Sequence, residues 1–404
     1  MLRLNGLARG GLVFVPLLVL LACTEDFTTP GSCPETCPGG TVRILDTVVD
    51  AVFDEDSSFS GYVQAGDGTG LLITTPSAPD RYLSAMRFGP LPDSVRVGDT
   101  LYTFTIDSIA IGLGVLARDP VAIGIALQLY RAPASLDSGV TFAEIDSFIT
   151  PATFLDSMAV PDTLTDGNLS VVFKGADLAK LEIPPADSGV LAIAVEASAP
   201  LPTGVELGNT SAASYLPTVT YYISVPEVDS TKQPSAIRRV PNFATYVEEF
   251  PPAPAADQLL LGGAPSSRIL VRFSVPDSVL LGVQILRAEL ILTPSVPIEG
   301  VANIPATVTA RGVLSDQGAK SPLVPLLAPQ TELFVASTDT VTIEVIDIVR
   351  TWQALINPPA RAFFLSLQPE GSSFTRPLFA STRSATGAPR LRITYVPPLE
   401  FEEP

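Results

Sequence analysis

The sequence predicts an all-β protein made of two tandem antiparallel β-sandwich domains, jelly-roll-like, each with one short helix. Three observations predict it. Apolar residues make up 46% of the chain and charged ones 16%, and 39 Pro and 29 Gly cut the apolar content into short runs. That mixture is what many strands separated by turns look like. Within the runs, apolar and polar residues alternate. The runs also recur: one ordered series of motifs is stated twice along the chain.

The first segment is MLRLNGLARGGLVFVPLLVLLACTED. Arg3 and Arg9 give it a positive start, and Gly11–Ala22 is an apolar stretch too short to span a bilayer as a normal helix. Residues 1–22 are therefore expected to be a signal peptide. Leu20-Leu21-Ala22-Cys23 resembles the lipobox of bacterial lipoproteins. That resemblance implies a lipid-modified Cys23 at the mature N-terminus, where several acyl chains make a stable anchor. Thr24 in place of Asp after the cysteine implies, by that family's sorting habit, the outer membrane. The expected address is thus the cell envelope, at its periplasmic face or the cell surface.

Residues 23–40, rich in Thr, Pro and Gly, read as a tether. Cys33 and Cys37 lie in GSCPETCPGG. In an oxidising compartment they are candidates for a small-loop disulfide. Two thiols alone are too few for a metal site, and no metal or cofactor is expected.

Two modules follow, at 41–224 and 238–398, joined by a linker at 225–237 and followed by a tail at 399–404. Both contain Arg-Phe (Arg87-Phe88, Arg272-Phe273) and then Pro-Asp-Ser-Val (92–95, 276–279). Both continue with a long apolar run, DSIAIGLGVLA or QILRAELILTP, and then an Asp that opens a helical turn, Asp177 or Asp347. Pro-Pro-Ala recurs at 184–186 and 358–360, ahead of VLAIAVEAS and AFFLSLQPE. The copies close on LPTVTYYISV and APRLRITYVPP. The first carries an insertion around SLDSGVTFAEIDSFITPATF.

Period two sets the strand faces. Ile269, Val271, Phe273 and Val275 fall on one side of their run; Leu391, Ile393 and Tyr395 do so in theirs. Val341, Ile343 and Val345, and Leu191, Ile193, Val195 and Ala197, behave alike. The clearest helix is expected after Asp347 as N-cap, with Ile348, Trp352 and Leu355 inward at i, i+4, i+7 and Pro358-Pro359 as its stop. Asp177 is expected to cap a shorter turn with Leu178 and Leu181 inward.

The second module resembles DNRLRE domains, disaggregatase-related modules of secreted and surface proteins of bacteria and archaea. The residues that carry the likeness are NFATYVEEF, SRILVRFSVP with ILRAELIL, IEVIDIVRTWQALINPP, FFLSLQ and APRLRITYV, spanning most of 238–398. The first module resembles them less, lacking the Trp. The resemblance implies a non-catalytic binding or scaffolding role, with a polysaccharide or an envelope protein as partner. Fold alone does not name a ligand. The alternatives are a carbohydrate-active enzyme with a loop-borne carboxylate pair and a passive surface spacer.

Composition narrows the chemistry. His is absent, which removes Ser-His-Asp and Cys-His catalysis and His-ligated zinc. A net charge of −18 disfavours nucleic acid and anionic headgroups, leaving the lipid anchor as the membrane contact. No catalytic residue is assigned. Tyr62 and Tyr82, near loop-like sequence, are the candidate ligand-binding aromatics, although ordinary strand packing is the favoured reading for both. Trp352 is expected in the core. Asp54, Glu55 and Asp56 lack the Gly and terminal Glu of a calcium loop and read as a solvated turn. QAGDGTG reads as a hairpin turn without phosphate-loop features.

Overall fold

The computed structural model describes residues 43–78, 80–181, 189–229, 234, 236–249, 253–263 and 265–398. Strands account for 45% of it and helices for 8%, and every strand pair is antiparallel, so the fold is an all-β sandwich fold. The signal segment, the tether, Cys23, Cys33, Cys37 and the 399–404 tail lie outside the described residues.

The first half runs through β1 (Leu45–Asp50), β2 (Ser57–Ser60), β3 (Gly70–Thr74), β4 (Tyr82–Phe88), β5 (Val95–Val97) and β6 (Thr100–Tyr102). It continues with β7 (Thr105–Arg118), β8 (Ala126–Ala132), helix α1 (Phe142–Ser147), β9 (Phe154–Ala159) and β10 (Gly167–Lys174). A 3-10 turn at Gly175–Leu181 leads to β11 (Ala192–Ser198), β12 (Gly204–Gly208) and β13 (Thr218–Ser224).

The second half opens with β14 (Ile237–Arg239), β15 (Pro241–Glu248), β16 (Gln258–Leu260) and β17 (Ser267–Arg272). Helix α2 (Asp277–Leu280), β18 (Gln284–Leu292), β19 (Ala306–Val313), β20 (Gln330–Leu333) and β21 (Val341–Glu344) follow. Helix α3 (Ile346–Thr351), β22 (Ala360–Gln368), β23 (Leu378–Ala380) and β24 (Arg390–Val396) complete it.

The sheet orders repeat strand for strand. One sheet of the first sandwich is β14-β13-β7-β12-β3, with β10 also on β7; the matching sheet of the second is β1-β24-β18-β21, with β16-β23 as a separate ribbon. The facing sheets are β15-β4-β11-β8-β9 and β2-β17-β22-β19-β20. The opening strand pairs are exchanged. β1 and β2, at the start of the first half, pair with β24 and β17 of the second. β14 and β15, at the start of the second half, pair with β13 and β4 of the first. Residues 45–60, expected in the first module, thus complete the second sandwich, and 238–248 complete the first. Ile44–Pro398 form one compact unit.

The alternation does its expected work inside each sandwich. Ile269, Val271, Phe273 and Val275 are buried in one core with Ile343, Leu391 and Ile393. Leu191, Ile193, Val195 and Ala197 are buried in the other. In the first half the opposite face is buried too. Ala192 and Ala194 pack with Leu83, Phe142 and Ile145 under the insertion. The near-continuous apolar run of β11 reflects that double burial.

The helices differ from the sequence expectation in number and in detail. The insertion forms α1, capped by a reciprocal box in which Glu144 N–H donates to Thr141 Oγ1 and Thr141 N–H donates to Glu144 Oε2. α2 is a single turn started by the repeated Pro-Asp-Ser. Asp347 does not cap α3. Val345 stands at the N-cap without a side-chain bond, and Asp347 lies in the first turn, 3.7 Å from Arg350. Ile348 and Trp352 are buried as expected, but the helix ends before Leu355, which is 87% exposed. The stop precedes Pro358-Pro359: i→i+3 bonds from Trp352, Gln353 and Ala354 close the last turn, and Gln353 Nε2 donates to the carbonyls of Leu280 and Val283. The Asp177 turn is 3-10, with Leu181 buried.

Candidate binding groove

The connection between β22 and β23 crosses from the second sandwich into the first. Phe374 is buried in the first sandwich's core, with its ring centroid 5.8 Å from that of Tyr82. Tyr82 in turn meets Tyr246 edge-on at 5.9 Å, and the Tyr246 hydroxyl donates to the Gly371 carbonyl at 2.8 Å. Gly204 permits this approach: a Cβ there would lie 2.8 Å from Val301 Cγ2 and 2.9 Å from the Phe374 ring.

Two residues later Arg376 holds three carboxylates. Its guanidinium lies 3.1 Å from Glu248, 3.1 Å from Glu299 and 3.5 Å from Asp80. Arg376 and Glu248 are both buried. Burial pushes Glu248 up to about 7, against the pull of Arg376, and also raises Asp80. Nearby, burial raises Glu206 to about 7, with a Ser372 hydrogen bond opposing it.

A groove of about 790 Å³ opens beside this junction. Its walls are the turn at 64–67, the insertion segment Ser138–Phe142, and the exchanged strand β15 from Asn242 to Glu248. β15 is the outermost strand of its sheet, so the groove follows a sheet edge. Gln64, Asp67, Ser138, Thr210 and Asn242 offer exposed polar groups there, and Phe243 offers a half-buried ring. Glu248, at one end, is committed to Arg376.

Arginines fix the walls. Arg81 sits 5.2 Å above the Phe142 ring and pairs with Asp146 at 2.8 Å and Glu196 at 2.7 Å. Arg87 lies 5.8 Å over Phe243, donates to the Leu136 carbonyl at 2.6 Å, and donates to Asn242 Oδ1 at 3.2 Å. Its repeat partner Arg272 does the same for the other half, bonding Asp316 of a crossing loop and the Glu55 carbonyl beside exchanged β2. The repeated arginine thus ties an exchanged strand to the loop that covers it.

The tyrosines singled out in the sequence do not form a platform. Tyr82 is 1% exposed and belongs to the core, because its strand is covered by the exchanged β15 and by Phe374. Tyr62 is half-buried and already engaged: its hydroxyl donates to the Ala319 carbonyl at 2.5 Å, Arg268 stacks 4.2 Å from its ring, and Phe364 meets it edge-on. Trp352 is 1% exposed and rests on Phe363 at 5.1 Å. Asp56 is not solvated. It is 1% exposed and accepts from the Thr382 N–H and hydroxyl, both at 2.7 Å, while Asp54 pairs with Arg383 at 2.9 Å. That turn holds exchanged β2 to the second sandwich.

Sequence reading passed over the groove's own residues. Thr141 and Glu144, spaced as a capping box ahead of Ile145, were the signal that the insertion carries a helix. No local signal joins Arg376 to Glu248, which is 128 residues away. Among the described residues no group of three or more Cys, Asp and Glu is arranged to hold a metal ion, and no helix is long and apolar enough to cross a membrane. No protein-family model matches this chain, and no curated protein matches it.

Proposed function

We propose that this chain is a lipid-anchored protein of the cell envelope that binds an extended glycan, without catalysis, in the groove along β15. The observation that carries this reading is the groove's construction. A long, open channel is edged by exposed hydroxyl, amide and carboxylate groups and a phenylalanine ring, the mixture that suits a polyhydroxylated chain with apolar ring faces. One of its walls comes from the insertion that only the first half carries. The lipobox-like Leu20–Cys23 and the DNRLRE-like second half support the address and the binding role. The catalytic alternative is less favoured, because Glu248, one of the two carboxyls that line the groove, is ion-paired to Arg376.

A glycan-array screen of the soluble part, from Thr24 onward, tests this directly. Asn242→Ala and Phe243→Ala should each weaken the best hit at least tenfold. No glycan bound, together with recovery of the chain in an envelope complex on pull-down, would replace the glycan reading with scaffolding. Cys23→Ser should abolish lipid labelling and membrane association; labelling that persists removes the anchor.

A further inference from the structure

The two sandwiches differ at one matching place. In the second, Trp352 lies in the same core as Val279, Leu280 and Ile285, rests on Phe363, and is followed by Gln353, which bonds the carbonyls of Leu280 and Val283 at the end bounded by α2, the start of β18 and α3. The strand registers give the counterpart. Ile393 lies opposite Ala288 in the second sandwich, and Tyr221 lies opposite Ile109 in the first. Ala362 opposite Arg272 matches Ala192 opposite Arg87, so Ile193 stands where Phe363 supports the Trp. The chain has one Trp, and the first half has none. There, the corresponding turn Leu91–Asp93, the start of β7 and the 3-10 turn enclose a cleft of about 470 Å³ instead.

Small-molecule sites span roughly 300–1,000 Å³ and are mostly apolar with a few placed polar groups. This cleft is lined by Leu91, Pro92, Ile106, Ile109, Leu178 and Leu181, with Tyr221 as its buried polar residue. The Tyr221 hydroxyl is buried and has no hydrogen-bond partner among the described residues. Burial raises its pKa to about 12, so it stays a neutral donor. A buried hydroxyl without a partner is costly unless something satisfies it. Asp93, exposed at the mouth, and the net charge of −18 disfavour an anion.

We propose that this cleft binds a neutral ring-bearing small molecule that inserts where Trp352 sits in the other half and presents one oxygen to the Tyr221 hydroxyl. The site is separate from the β15 groove and does not rest on the glycan reading.

Titration calorimetry of the whole soluble chain with 2-naphthol as probe tests it. The wild-type chain should bind saturably at one site. Tyr221→Phe should bind about 5–10-fold more weakly, the loss of one hydrogen bond. Leu178→Trp, which fills the cleft from its own wall, should show no saturable binding and a thermal transition at or above that of the wild type. Absence of saturable binding to the wild-type chain overturns the proposal, and so does unchanged affinity in Tyr221→Phe. Should Leu178→Trp fail to fold, the other two measurements still decide.

Discussion

The Arg376 guanidinium lies 3.1 Å from the Glu248 carboxylate, joining the β22–β23 connection to the last residue of exchanged strand β15. Both side chains are buried, and Asp80 and Glu299 share the same arginine. Removing one partner of a buried pair strands the other, at a cost of about 3–5 kcal/mol. Arg376→Met should therefore lower unfolding free energy by that order in urea titrations. Adding Glu248→Leu should restore part of the loss. A double variant no better than the single one would mean that the pair is not what holds this junction.

Glu206 makes stability depend on pH. Its folded pKa is about 7, against an ordinary value of 4.5, because burial outweighs the Ser372 hydrogen bond that opposes it. Between those values the folded chain holds a proton that the unfolded chain has released. Its contribution is therefore fully present below about 4.5 and is lost as pH rises through about 7. The melting temperature should fall across that window, and Glu206→Gln should flatten the decline by its share, on the order of 2–3 kcal/mol. Parallel curves for the two proteins would refute the assignment.

Neither half is complete alone. A chain of residues 238–398 lacks β1 and β2, and 41–224 lacks β14 and β15. Each, expressed separately, should lack a cooperative thermal transition, and mixing the two should restore one. Cooperative melting of an isolated half at the temperature of the whole chain would contradict the exchange.

The two ends of the α3 region should respond oppositely to truncation. Trp352→Ala opens a cavity in the core and should cost about 3–5 kcal/mol. Leu355→Ser touches an exposed residue and should stay within about 0.5 kcal/mol. Denaturant midpoints of the two variants check both.

The interior faces of the strands were legible in the sequence, because a strand's period of two is local and survives any choice of partner. Phe273 and Val275 are buried for that reason. The partner itself is not local. Leu45–Asp50 alternates equally well beside its own half's sheet or the other's, and only the completed fold decides. Leu355 failed for a related reason: the helical period said where it would point if the helix continued, and the helix stops at Thr351. Tyr82 packs in its strand, as the favoured reading has it, but nothing near it announces its cover Phe374, nearly three hundred residues on. The groove was half legible. Its insertion stood out as the difference between copies, while its opposite wall, β15, belongs by sequence to the other half.

The exchanged strands also impose an order on folding. Leu45 finds its partner only at Tyr395, so β1 waits for β24 to be made. Until β17 and β24 are made, β2 and β1 are unpaired, and the second sandwich lacks one edge strand on each sheet. Contacts this far apart in sequence form slowly, and open strand edges invite pairing with other chains. That wait is the interval over which this chain needs protection between synthesis and its finished form.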